Sequence, residues 1–229
     1  ILETFTKEHS AGYHGQALID LAHRMRPRVL GTIGEWGDIE SVVLHTKRIG
    51  HVVMGSGSGD LEKYDPNASR ETLDHSAMFI FAVALQDGEW HHERSYAPAR
   101  AHRPDTVRLW RKVRTVEDPD WNRRYDEPPP LQKDHGARAV ITLQSGERLA
   151  DEIAVADAHP RGARPFGRED YVRKLETLLV GFVDSGERSR YLERVQRLPE
   201  LAAGELRHLN IVAKPWRRAQ AAGDHRGIF

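Results

Sequence analysis

Cysteine is absent from the 229 residues. Its absence excludes disulfides, thiolate zinc sites and cysteine-ligated iron–sulfur clusters, including the three-cysteine clusters that serve some hydratases. An excess of charge of either sign is also missing, because 34 Lys and Arg balance 34 Asp and Glu. Nothing therefore suggests a nucleic-acid or acidic-membrane surface. No apolar run approaches the roughly 20 residues of a membrane span. The start of the chain lacks the basic-then-apolar order of a signal peptide, so a cytoplasmic location is the expectation. Aromatic residues make up only 7%, but 39% hydrophobic residues are enough to build a core. The chain opens on Ile1 inside what reads as a structured segment, which leads us to expect that part of any site lies outside it.

Apolar residues at Ala17, Leu18, Leu21, Ala22 and Met25 predict a helix over 13–26, ended by Pro27. The β-branched run 39–46 reads as a strand, and a short helix over 47–54 leads to the glycine loop Gly55-Ser-Gly-Ser-Gly59. Asp65 as N-cap and Pro66 at the first helical position predict a helix that becomes almost wholly apolar from Ala77 to Leu85. Asp105 is expected to cap a helix carrying Val107, Leu109, Trp110 and Val113, and the prolines at 128–130 mark a surface loop. Residues 137–143 and 147–155 read as a hairpin around Gln144-Ser-Gly146. Helices follow from Arg168, over 189–198 and over 201–212, and the end from Lys214 is expected to fray. The chain thus reads as mixed helix and strand to about residue 160 and all helix beyond.

The glycine loop fits no dinucleotide, P-loop or nucleophile-elbow template. It reads either as a source of turn dihedrals or as a loop closing over an anion. In one continuous helix, Asn67, Arg70, Glu71, Asp74 and His75 would share an arc of about 140°. Beside an apolar continuation, that arc suggests the edge of a cleft, with His75 able to act as acid or base. His91-His92-Glu93, and His9 with His14, are the tightest histidine groupings. Neither has His-x-x-x-His spacing with a third ligand, and in a strand His91 and His92 would face opposite ways, so no metal is expected. Lys7, His9, His14 and Gln16 read as solvated surface or as carboxylate capture near a helix N-terminus. His159, Arg161 and Arg164 read as carboxylate ligands or as ordinary residues of a linker between domains.

The stretch 60–88, with Phe5-Thr-Lys-Glu-His-Ser-Ala-Gly-Tyr-His-Gly-Gln16 and Ala154-Val-Ala-Asp-Ala-His-Pro-Arg-Gly162, resembles the carboxyl-terminal half of the MmgE/PrpD family. Its most specific portion is Asn67-Ala-Ser-Arg-Glu-Thr-Leu-Asp-His-Ser76. The resemblance implies an α+β fold, with a lid-type domain over 1–160. Residues 161–229 would be helices of a large helical domain whose amino-terminal half lies outside this chain. It implies dehydration of 2-methylcitrate to 2-methyl-cis-aconitate in propionate catabolism, without metal or cofactor. Decarboxylation or epimerisation of a related polycarboxylate is the nearest alternative, and a non-catalytic remnant or interaction module the contrasting one. By the same resemblance His75 and Lys7 are the catalytic candidates, and Arg70, Asn67, His9, Ser76 and Arg161 bind substrate. Phe79 stands where family members often have a tyrosine. The implied partners are a tricarboxylate substrate, the amino-terminal helical half and a second copy in a homodimer.

Overall fold

In the computed structural model, which describes residues 6–214, the chain divides into two compact units, one through Pro165 and one from Phe166. The fold is α+β. Among the described residues there is no helix long and apolar enough to cross a membrane.

The first unit is built on a four-stranded sheet in the order β2-β1-β3-β4. Its strands are β1 (Ile39–Thr46), β2 (Val113–Glu117), β3 (Ala137–Leu143) and β4 (Arg148–Ile153). β1 runs parallel to β2, pairing Val42 with Val113, and antiparallel to β3, pairing Val42 with Ile141. The β3–β4 hairpin turns at Gly146, whose φ of 86° suits a residue without Cβ. β2 is a strand that the sequence reading missed, having placed Val113 on a helix. The helix there, Pro104–Trp110, ends before Val113, and Asp105 sits in its first turn, bonded to Arg103, rather than at its cap.

Helix α1 (Tyr13–Leu30) lies against β3 and β4 and packs on an apolar helix that also touches β2. Contrary to expectation, α1 runs through Pro27 for another turn. Pro27 is on the exposed side, where a carbonyl without its amide can turn to solvent, and fully buried Val29 anchors that turn.

The helix expected from Asp65 is instead two helices, α2 (Arg70–Asp74) and α3 (Ala77–Asp87), each with its own serine cap. Ser69 accepts from the Thr72 amide and Ser76 from the Phe79 amide. These local bonds outcompete the Asp65–Pro66 start, where Asp65 bonds Asn67 in a turn. The single arc from Asn67 to His75 therefore does not exist. Every α3 residue but Asp87 is buried, which explains its lack of a polar face.

Three further short helices are α4 (Pro98–Ala101), α5 (Pro104–Trp110) and α6 (Pro119–Asp126). The segment expected to be helical over 47–54 closes as a π-turn, Gly50–Met54. The glycine loop behind it lies on β2: Ser56 N donates to Thr115 Oγ1 at 3.0 Å, and Thr115 N donates to Ser56 Oγ at 3.0 Å. A Cβ at Gly55 would overlap Thr115 Oγ1, so this glycine serves close approach.

In the second unit, α7 (Arg168–Leu179) and α8 (Ser185–Gln196) bury no residue completely. With Phe166, their Tyr171, Leu175, Tyr191 and Val195 line an apolar groove of about 570 Å³. The helix expected over 201–212 is a 3-10 run, Ala203–Leu209. The expected fraying end lies, beyond Lys214, outside the described residues.

Candidate active site

Gly12, just before α1, brings the parts of the site together. Its amide donates to the Asp74 carbonyl at 3.3 Å, and a Cβ there would sit 3.1 Å from that oxygen and 3.1 Å from Met54. The start of α1 is thus pressed against the α2–α3 joint, and His14 is close enough to His75 for their charges to interact.

His75 ends α2, and its side chain is 53% exposed. Its Nδ1 lies 3.0 Å from the Glu71 carbonyl oxygen. A carbonyl only accepts, so Nδ1 carries a proton and the neutral ring keeps its lone pair on Nε2. Next to it, Asp74 Oδ1 accepts from the Tyr96 hydroxyl at 3.0 Å, and the same hydroxyl reaches the Ser10 carbonyl at 2.6 Å. Burial, followed by the Asp74 carboxylate, raises the Tyr96 phenol, so it remains a donor. Arg70 Nη2 donates to the His92 carbonyl at 2.8 Å, with its guanidinium 5.1 Å from the centre of the Tyr96 ring.

Behind His14 is a group that sequence reasoning did not single out as a unit. Lys47, 1% exposed, donates from Nζ to the His135 carbonyl at 2.9 Å and lies 5.3 Å from the centre of the Tyr125 ring. The His135 ring stacks 6.1 Å from His14 and meets Tyr13 edge-on at 4.9 Å and Tyr125 at 5.0 Å. Burial pushes the Lys47 ammonium down to about 7, with partial relief from the Asp134 carboxylate. Burial, then Lys47 and His75, pushes His14 down to about 4; burial, then Lys47 and His14, takes His135 to about 3. His14 Nδ1 is buried with no hydrogen-bond partner among the described residues.

These shifts set a pH dependence. Both imidazoles take up a proton less readily in the folded chain than at the ordinary value of 6.5, so the unfolded chain binds more protons in this range. Their contribution is intact above pH 6.5 and is lost as pH falls toward 4 and then 3. The urea midpoint should therefore drop between pH 7 and pH 5. In His135→Phe the slope of stability against pH should lose up to one proton's worth, about 1.4 kcal/mol per pH unit. An unchanged slope would remove His135 from this account.

The sequence-predicted residues fall in several places. His75 and Ser76 stand at the α2–α3 joint and Arg70 at the opposite end of α2; Ser76 is buried, donating to the Lys63 carbonyl at 2.8 Å while capping α3. Phe79 is buried beside Tyr96, ring centres 6.1 Å apart. Asn67 stands on the preceding turn, its Oδ1 3.0 Å from His102 Nε2. Lys7 is exposed ahead of α1. His9 is held at another face: its Nε2 is 2.9 Å from Asp20 Oδ1, and Asp20, six residues beyond His14, lies about 240° around the helix. Arg161 reaches Asp134 at 2.9 Å and so belongs with the Lys47 group.

Against expectation, the histidine groupings do gather a third possible ligand: one ligand atom each from His91, His92 and Glu93, and likewise from Glu8, His9 and Asp20, lie within 4.8 Å of one another. No strand forms at His91 and His92, whose rings stack at 4.4 Å instead of facing opposite ways. His91 Nδ1 accepts from the amides of Glu93 and Arg94. Glu8, which with His9 and Asp20 forms the second close group of possible ligands, is bonded to Arg164 at 3.1 Å.

Two ring nitrogens, a phenol and a lysine near neutrality at one seam suit proton transfer on an anionic substrate. The MmgE/PrpD C-terminal domain model matches residues 9–199. The chain belongs to this family. Family members are generally dehydratases and other lyases, and the matched region of this MmgE/PrpD chain contains His14, Lys47, His75, Tyr96 and His135.

Proposed function

We propose that this chain is the carboxyl-terminal part of a hydro-lyase that dehydrates 2-methylcitrate to 2-methyl-cis-aconitate in cytoplasmic propionate catabolism. The observation carrying this reading is His75 Nε2, left with its lone pair at a half-exposed position beside His14 and Tyr96. Loss of water requires removal of a proton next to a carboxylate, protonation of the departing hydroxyl, and cations for three carboxylates. His75 serves as one proton carrier with Lys7 as its candidate partner, and Arg70, Asn67, His9, Ser76 and Arg161 are the candidate binding groups. Of these, Arg70 and Arg161 have the bidentate geometry for carboxylates.

In this reading residues 1–160 form the lid-type domain, and the later helices join the amino-terminal helical half, which supplies the opposite wall. A homodimer is the expected assembly, with neither metal nor cofactor required. The chain, alone and mixed with that half, should be assayed for the rise in ultraviolet absorbance of the unsaturated tricarboxylate. Activity in the mixture supports the proposal, and formation of carbon dioxide or an epimer instead would move it to a decarboxylase or epimerase of the same family. One observation favours a non-catalytic remnant: buried Phe79 offers no hydroxyl where family members often have tyrosine. Inactivity of the mixture on all three reactions would support that reading. Arg70→Met in the active assembly should raise KM about tenfold with kcat nearly kept. An unaltered KM would make Arg70 a structural partner of His92 and Tyr96 only.

A further inference from the structure

Lys47 has no role in the proposed dehydration, yet it is 1% exposed at the base of the same seam. A buried ammonium that serves only the fold is normally matched by a carboxylate. The nearest candidate, Asp134, is already committed: its Oδ2 accepts from Arg124 Nε at 2.8 Å and its Oδ1 from Arg161 Nη2 at 2.9 Å. Lys47 Nζ donates instead to a neutral acceptor, the His135 carbonyl at 2.9 Å. Other neighbours in the group are cationic or aromatic. Tyr125 on α6 has Lys47 on its ring at 5.3 Å and Lys133 at 4.9 Å, and its ring centre is 6.3 Å from that of His14. From α1 come Tyr13 and His14, from the loop before β3 Lys133, Asp134 and His135, and from the α2–α3 joint His75.

We propose that Lys47 is a positioning residue: from beneath the seam it holds His14 as a lone-pair imidazole, leaving proton exchange with the substrate to His75. The inference rests on the dehydratase reading for its chemistry but not for its geometry. Lys47 holds the carbonyl of His135, whose ring stacks on His14, and a positive charge on either Lys47 or His75 disfavours a proton on His14. Burial is the larger influence, and Lys47 adds to it. Two imidazoles at one seam then have different duties: His14 offers a hydrogen-bond acceptor or donor without charge, and His75, with Nδ1 fixed on the Glu71 carbonyl, carries the mobile proton on Nε2. Because Lys47 itself is pushed down to about 7, its field on His14 is present in acid and fades as pH rises through neutrality.

The test is nuclear magnetic resonance of the labelled chain, following imidazole nitrogens and the Lys47 Cε carbon from pH 4 to pH 9, and it needs no activity. In the unaltered chain His14 should stay uncharged down to about pH 5, and the Lys47 carbon should titrate near 7 rather than 10.5. In Lys47→Met, which keeps length and apolar bulk, His14 half-titration should move up by about one unit, a tenfold gain in proton affinity. Lys47→Arg, which keeps the charge, should restore the low value. A His14 titration unmoved in Lys47→Met with an intact amide spectrum would overturn the proposal. Should the methionine variant not fold, the unaltered chain still decides: a His14 ring that takes up its proton at the ordinary value of 6.5 overturns it. In the assembly with the amino-terminal half, Lys47→Met should shift the acid limb of kcat/KM upward. An unaltered assembly without dehydratase activity, alongside the predicted titrations, would defeat the functional reading and leave the electrostatic one standing.

Discussion

Gly136→Ala is expected to destabilise the first unit by about 3 kcal/mol or more, at the upper end of overpacking effects. Gly136 links His135 to β3 and donates its amide to the Ala154 carbonyl at 2.8 Å. An added Cβ would overlap the Ile153 carbonyl oxygen and stand 2.7 Å from the Ala154 oxygen. Those oxygens belong to backbone that cannot move aside cheaply, because Ile153 is held in the sheet opposite Ala137. Relief would require breaking the last rung of the β3–β4 ladder or displacing the loop that carries His135 under Lys47. Urea unfolding should show the loss as a lower midpoint with little change in slope. Gly59 supplies the comparison: its φ of 72° disfavours alanine, but no atom lies within 4 Å of the added carbon. Gly59→Ala should therefore cost only about 1 kcal/mol. Equal effects at the two positions would mean that close approach is not what Gly136 provides.

His75→Ala, in the assembly with the amino-terminal half, is expected to lower kcat by about a hundredfold or more. The magnitude follows from removal of a proton carrier whose ring is oriented by the Nδ1 contact to Glu71 and whose Nε2 has no other duty among the described residues. Folding should be nearly untouched, since the side chain is half-exposed and the α2–α3 joint is held by Ser69 and Ser76. His75→Gln retains a polar side chain but cannot carry a proton near neutrality, so it should remain as slow as alanine. A rate within threefold of the unaltered enzyme in either variant would remove His75 from the mechanism.

Much of the fold could be read from residue order. β1 declares itself through its β-branched run, the hairpin through alternation, and α1 and α7 through a 3.6-residue period, which in α1 makes a buried face and in α7 one wall of the apolar groove. β2 was missed for physical reasons: five residues with arginine and glutamate among them carry little pattern, and a parallel partner lies about seventy residues earlier. The false long helix from Asp65 shows how two serines can divide an apolar run that composition alone would join. At the candidate site, the contacts of His75 with Glu71 and Asp74 were legible because they are local in sequence. Lys47 was not, because its contact with His135 spans 88 positions and nothing near it in the chain marks it as buried. His14 was noticed only as one of several polar groups at a helix start, since its surroundings come from α6, β1 and the loop before β3.

The attachment of the glycine loop to β2 has a wider consequence. β2 is an outer strand, and an outer strand with free amides and carbonyls invites a neighbouring molecule to add a strand of its own. Ser56 takes up both the amide and the carbonyl of Thr115, and the Tyr64 hydroxyl takes the Val113 carbonyl at 2.8 Å. On the opposite margin, Arg24 bonds the Glu152 carbonyl and Arg28 the Ala150 carbonyl at 3.3 Å. Both margins of the sheet are thus closed by side chains of the same molecule, and the small residues of the loop, which fit no ligand-binding template, are what let one of those closures lie flat against its strand.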